Sequence, residues 1–151
     1  MPEKEFCIVQ VTGRDRQILE PQWLARAETV HRQLRPQLPD NYPAKMEQVF
    51  RGGAEMCLAT VDQRVVGVAV FRQFENTHVG SRFYIDDLVT AESERSTGAG
   101  RTLTAYLEQL ARERGCPGVD LESGTHRSRA HRFYFREGFV ITAFSFRKNF
   151  S

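Results

Sequence analysis

Cysteine is scarce in this chain, and its three copies stand alone. Cys7, Cys57 and Cys116 form no CxxC pair and have no partner at metal-ligand spacing, which argues against a disulfide framework and reads best as idle or buried thiols. Of the four histidines, His126 and His131 are five apart, not at the i, i+4 spacing that sets two imidazoles on one helix face. No metal is expected. No apolar run approaches the length of a membrane span. The start, Met1-Pro2-Glu3-Lys4-Glu5, mixes charge with no apolar stretch behind it, so a cytoplasmic address without a membrane partner is expected. A net charge of +2 is too small to imply nucleic acid. Basic residues gather only at Arg127, Arg129, Arg132 and Arg136, as a phosphate-facing cluster or a solvated helix face.

What is present suffices for one sizeable core. At 151 residues with 40% hydrophobic content, the chain is too short for two ordinary domains, so a single domain over residues 1–151 is expected. Residues 6–12 read as a strand. Trp23, Leu24, Ala27, Val30, His31 and Leu34 recur at helical spacing behind Pro21. Met46, Val49 and Phe50 suggest a second helix closed by Gly52 and Gly53. Residues 55–61 and 64–73 read as a hairpin around Asp62-Gln63, and residues 81–90 as another strand. Leu103, Tyr106, Leu107, Leu110 and Ala111 trace an amphipathic helix ending at Gly115. A short strand over 118–122, a short helix over 127–136 and a final strand over 139–148 complete a mixed α/β order.

Arg95-Ser96-Thr97-Gly98-Ala99-Gly100-Arg101 lies between a strand and that amphipathic helix. The first amides of a helix lack intrahelical acceptors and sit at the positive end of its dipole, so this turn suits an anion such as a diphosphate. Glycine lets the backbone adopt a left-handed conformation and lets a ligand approach it. Two familiar phosphate motifs fail on spelling. A Walker A loop needs GK[ST] with a glycine five residues before its last, but Arg101 follows Gly100 and Arg95 holds the earlier position. A dinucleotide fingerprint needs a third glycine where Leu103 stands.

Arg95, Gly98 and Gly100 instead match the R/Q-x-x-G-x-G/A signature of the GNAT family of N-acetyltransferases, which the segment resembles. Ala130, Phe133, Tyr134, Gly138 and Phe139 resemble that family's A-x-x-F-Y-x-x-x-G-F motif, in the expected order. The likeness is strong over 81–148 and rests only on element order before that. It departs where many members carry Asn and this chain has Arg127.

The resemblance implies a mostly antiparallel central sheet with a splayed parallel strand pair and about four flanking helices. It also implies acetyl-CoA as co-substrate, with residues 95–101 cradling its pyrophosphate and the backbone of Leu88 and Val89 pairing with its pantetheine arm. Tyr134 matches the family's general acid beside the cofactor sulfur. Tyr84-Ile85-Asp86-Asp87-Leu88 resembles a segment of the polyamine acetyltransferase branch, whose acids bind a cationic amine and relay its proton. Strand alternation sends Asp86 and Asp87 to opposite faces, with Asp86 expected as general base through water, Asp87 or Glu122 as second choices for that role, and Asp87, Glu122 and Tyr84 on the amine side. A bulge near Leu88, usual in the family, would change those faces.

Trp23, Tyr42 and Phe50 read as core before they read as cleft. The expected activity is acetyl transfer from acetyl-CoA to a primary amine of a small, cationic molecule. A peptide amine and a non-catalytic acyl-CoA sensor are the rivals, and a sensor would need neither Tyr134 nor the acidic pair. The resemblance leaves room for a homodimer.

Overall fold

The computed structural model describes residues 4–151; Met1 to Glu3, the first part of the mixed-charge start, lie outside the described residues. The chain forms two compact units, the first ending at Asp120 and the second running from Leu121 to Ser151.

In the first unit, β1 (Cys7–Gln10) precedes α1 (Pro21–Leu34), which starts on a proline whose missing N–H costs nothing at that position. Its buried stripe is Leu24, Ala27, Val30 and His31. The next helix, α2 (Tyr42–Arg51), is capped by Asn41, whose Oδ1 accepts from Ala44 N at 3.2 Å. The hairpin follows as expected: β2 (Ala54–Val61) and β3 (Arg64–Asn76) pair antiparallel around Asp62 and Gln63. Those two residues have φ of 48° and 64°, the left-handed pair that a two-residue turn of this hand requires. An antiparallel β4 (Gly80–Thr90) completes a meander on β3.

Alternation divides the sheet between two layers of helix. Met56, Leu58, Val68 and Val70 join one core with Leu24, Ala27, Val30, Met46 and Phe50 of the first two helices. Against the other face packs α3 (Ala99–Glu113), through Leu103, Thr104, Leu107 and Ala111. Close approach is possible because Gly67 lacks a Cβ, which would stand 2.6 Å from the Leu103 Cδ1. The far end of α3 is tied to β2 by Arg114, whose two terminal nitrogens donate to the Glu55 carboxylate at 2.6 and 2.9 Å, both side chains 8% exposed. A short β5 (Val119–Leu121) ends the sheet order β1-β2-β3-β4-β5, with β4 and β5 as its parallel pair. With four helices, this is the mixed α/β architecture that the resemblance implies. Among the described residues no helix is long and apolar enough to cross a membrane.

The second unit holds α4 (Ser128–Arg136). Its end explains the Gly-Phe of the second motif. Gly138 has φ +90°, its N–H donates to Phe135 O at 3.2 Å, and Phe139 N–H reaches back to Tyr134 O at 2.9 Å, the paired bonds of a Schellman cap. One expectation fails here. Residues 139–148 form no strand; strand-forming side chains need a partner strand, and among the described residues no ladder bonds reach this segment.

Gly67→Ala is expected to destabilise the fold by about 1–3 kcal/mol, because Leu103 is fully buried and has nowhere to retreat. Thermal unfolding checks this, with a fall of roughly 2–4 °C per kcal/mol.

Candidate active site

The loop into α3 is built to leave its amides unused. After a 3-10 turn (Glu92–Glu94), Thr97 folds back with its N–H and Oγ1 on Glu94 O at 3.3 and 2.6 Å. Gly98 then takes φ +104° as the residue before the helix, and no side chain caps the start. The first-turn amides of Ala99, Gly100 and Arg101 therefore have neither an intrahelical acceptor nor a capping one. A Cβ on Gly98 would find only ordinary contact with Phe6 at 3.5 Å, but it would strain the left-handed backbone. The nearby Glu94 carboxylate is buried and held by Lys4 at 2.6 Å and Arg64 at 3.5 Å, which keeps it below the usual carboxylate range. Arg95 makes only a 3.8 Å contact with Glu92, and Arg101 is exposed. Free amides, a glycine that admits a ligand and two accessible cations fit a diphosphate.

Asp86 and Asp87 sit at a bulge. Val70 pairs with Asp87 and Phe71 with Ile85, so Asp86 is the extra residue. The bulge corrects the expectation of opposite faces. Asp87 stands opposite Val70 on the side of α1, while Asp86 reaches Arg72, whose NH1 also donates to Gly52 O at the end of α2. Both acids thus serve the side covered by the first two helices, and the bulge lies just ahead of Leu88. Arg72 contacts only Oδ2 of Asp86, with Nε at 2.7 Å and NH2 at 2.6 Å. Asp87 is more enclosed. His31 Nε2 lies 2.7 Å from its Oδ2, Arg35 Nε and NH2 lie 2.9 and 2.7 Å from its Oδ1, and Arg35 NH2 also donates to Asp86 O at 3.3 Å. An ionised carboxylate only accepts, so in the neutral ring Nε2 carries the hydrogen and Nδ1 accepts from the Tyr42 hydroxyl at 2.8 Å. Burial by itself pushes the Asp87 carboxyl up, but the hydrogen bonds and charges of His31 and Arg35 outweigh it and hold the group low. Tyr42 is fully buried, and desolvation drives its hydroxyl far above the ordinary phenol value.

Other expected residues fall around these two clusters or outside them. Tyr84 lies opposite Arg72, with the Arg82 guanidinium 4.9 Å from its ring. Leu88 and Val89 run beside Ala69 and Val68, Leu88 being buried. Phe50 and Tyr42 are core, and Trp23 packs half-buried at its margin under Arg26. In the second unit Tyr134 is buried, with the rings of Phe133 and Phe139 each 5.6 Å away edge-on. Burial raises its hydroxyl above the usual phenol range against a lowering by Arg127. The residue that breaks the family motif is thus the one that bonds the expected acid. Glu122 and His126 are exposed, and Ser123 Oγ is buried with no hydrogen-bond partner among the described residues.

Sequence reasoning missed His31, Arg35 and Arg72 as site residues. The signal for His31 was its place in the apolar stripe of α1, where a polar side chain must find a partner.

The profile of the acetyltransferase (GNAT) family matches residues 19–139, and the chain belongs to that family. Over 72 residues it is 44% identical to the uncharacterized N-acetyltransferase YhdJ of Bacillus subtilis (strain 168), covering 47% of this chain and 51% of that protein. Over 92 residues it is 35% identical to the aminoalkylphosphonate N-acetyltransferase of Salmonella typhimurium, covering 60% of each. The chain thus spans about half to three-fifths of the length of the curated relatives it matches. The structure of aminoglycoside N-acetyltransferase AAC(6')-Iy in complex with CoA aligns with a TM-score of 0.80 at 16% identity, over 97% of this chain and 95% of that one. A transcriptional regulator from Bacillus halodurans C-125 aligns at 0.73 and 24% identity, over 97% and 100%. These structural likenesses show the fold.

Because the folded Asp87 carboxyl lies below its unfolded value, its contribution to stability is complete above about pH 4 and is lost as pH falls through the folded pKa. Asp87→Asn is expected to cost about 1–3 kcal/mol at pH 7. Urea unfolding at several pH values should show the gap to the unaltered chain closing below about pH 4.

Proposed function

We propose that this chain transfers an acetyl group from acetyl-CoA to a primary amine of a small, cationic molecule, by direct attack without a covalent enzyme intermediate. The observation that supports the donor half is the uncapped start of α3 behind Gly98, where three first-turn amides lack acceptors and Arg95 and Arg101 stand close in sequence, a combination that suits a diphosphate. Acetyl-CoA supplies a thioester open to an amine and releases a free thiol. The backbone of Leu88 and Val89 receives the pantetheine arm beside this cradle.

For the acceptor half, an alkylammonium with an ordinary pKa near 10 must lose a proton before it attacks. Asp86 takes that proton through water. It is 26% exposed, against 15% for Asp87, and its salt bridge uses only Oδ2. Asp87, held by the Arg35 guanidinium and the His31 ring, and Tyr84 are the groups of the first unit that meet the ammonium. Tyr134 carries its proton at neutral pH as any phenol does, burial raises its hydroxyl further, and it delivers that proton to the departing sulfur. The name of one relative, an aminoalkylphosphonate N-acetyltransferase, supports a small molecule over a peptide.

Incubation with acetyl-CoA and a panel of polyamines, aminoglycosides, aminoalkylphosphonates and peptide amines should release thiol with a small amine and not with peptides. Tyr134→Phe is expected to lower kcat by about 100-fold or more while CoA affinity is unchanged; turnover equal to the parent would remove Tyr134 from the mechanism.

A further inference from the structure

The acid pair rests on two polar side chains buried in the apolar core. His31 is 1% exposed and Tyr42 is fully buried, each in the apolar stripe of its helix. A leucine and a phenylalanine would fill those places with no polar group to satisfy, and a buried polar network holds together only when each member is bonded. Here each member is. The Tyr42 hydroxyl donates to His31 Nδ1 at 2.8 Å, the two rings meet edge-on at 89°, and His31 Nε2–H donates to Asp87 Oδ2 at 2.7 Å. The bonds thus run from α2 through α1 and end on one oxygen of an acid that is 15% exposed.

What they fix is the rotation of the Asp87 carboxylate. The last torsion of an aspartate is broad and roughly two-fold, so the side chain alone does not set the carboxylate plane. Arg35 does not set it either. A guanidinium locks a carboxylate when two nitrogens meet two oxygens, but Arg35 places Nε and NH2 together on Oδ1, at 2.9 and 2.7 Å. Its side chain is also 42% exposed, where water weakens the pair. Among the described residues, His31 is the partner that holds Oδ2, and it does so from a buried position. Each oxygen of an ionised carboxylate has about two acceptor sites, so one site on Oδ2 stays open and its direction follows the ring. Tyr42 pins that ring. Turned over about its own axis, the imidazole would present carbon to Asp87 and to Tyr42 and lose both bonds.

We propose that His31 and Tyr42 are positioning residues for the acceptor amine: Tyr42 pins the His31 ring, and the ring holds Asp87 with the open site of Oδ2 toward the substrate ammonium. The inference rests on the amine acetyltransferase reading. An acid binds the ammonium form, whose charge is gone by the time the amine attacks. Positioning of Asp87 therefore governs amine binding and not the rate of the bound complex.

Steady-state kinetics at saturating acetyl-CoA, with the most active amine of the panel above, test this. His31→Leu is expected to raise the amine KM by about 10-fold or more and to change kcat by less than about 2-fold. His31→Gln, whose amide still donates toward Oδ2, should recover most of that loss. Tyr42→Phe, nearly isosteric, should raise KM by about 5-fold, and it carries the test if His31→Leu does not fold. Nitrogen-15 spectra of the parent's histidine rings should show His31 with its hydrogen on Nε2. An unchanged KM in His31→Leu and Tyr42→Phe, with only a lower melting temperature, means that both side chains serve the core alone and overturns the inference. Equal losses in the Leu and Gln variants, a fall in kcat at constant KM, or a hydrogen on Nδ1 in place of Nε2 overturn it as well. If the parent acetylates no amine of the panel, the reading beneath fails and the inference with it; if it acetylates one and KM does not move, only the inference fails.

Discussion

The unused amides at the start of α3 are the constraint on which the candidate site depends. A helix that opens without a cap leaves hydrogen-bonding capacity unfilled, and the chain holds that opening in place from both sides. Gly98 fixes the entry with a left-handed backbone, Gly67 lets Leu103 press onto the sheet, and the Arg114–Glu55 pair anchors the other end. The proposed cradle is therefore preformed, and a ligand meeting it would lose little to ordering the protein.

The proposed acceptor side is organised by compensation of charge. Two carboxylates on one strand would repel each other and resist burial if left alone. The bulge turns them to one side of the sheet, where Arg72 meets Asp86 and His31 with Arg35 meets Asp87. The two acids are thereby made different. One is held low by the Arg35 guanidinium and the His31 hydrogen bond, and the other keeps an oxygen outside its salt bridge. Such a division of environments gives a pair of like groups separate tasks.

Element order was legible in the chain because each helix shows its stripe and each strand its alternation, and because Pro21, Asp62-Gln63, Gly98 and Gly138 mark the boundaries. The loop and the Tyr134 motif were legible as spelling. The bulge was not, since a period-two reading counts every residue as paired, and Asp86 is the one that is not. His31, Arg35 and Arg72 meet the acids across gaps of 14 to 56 positions in sequence, which no local pattern reports. The strand expected over 139–148 has the right residues, yet strand formation depends on a partner edge, and among the described residues none pairs with it.

The most direct test of the account is the response of the Gly98, Ala99, Gly100 and Arg101 amides in a nitrogen-15 spectrum to CoA and to pantetheine, which lacks the pyrophosphate. The account predicts large shifts at these four amides with CoA and none with pantetheine. CoA binding that leaves them unmoved would contradict it.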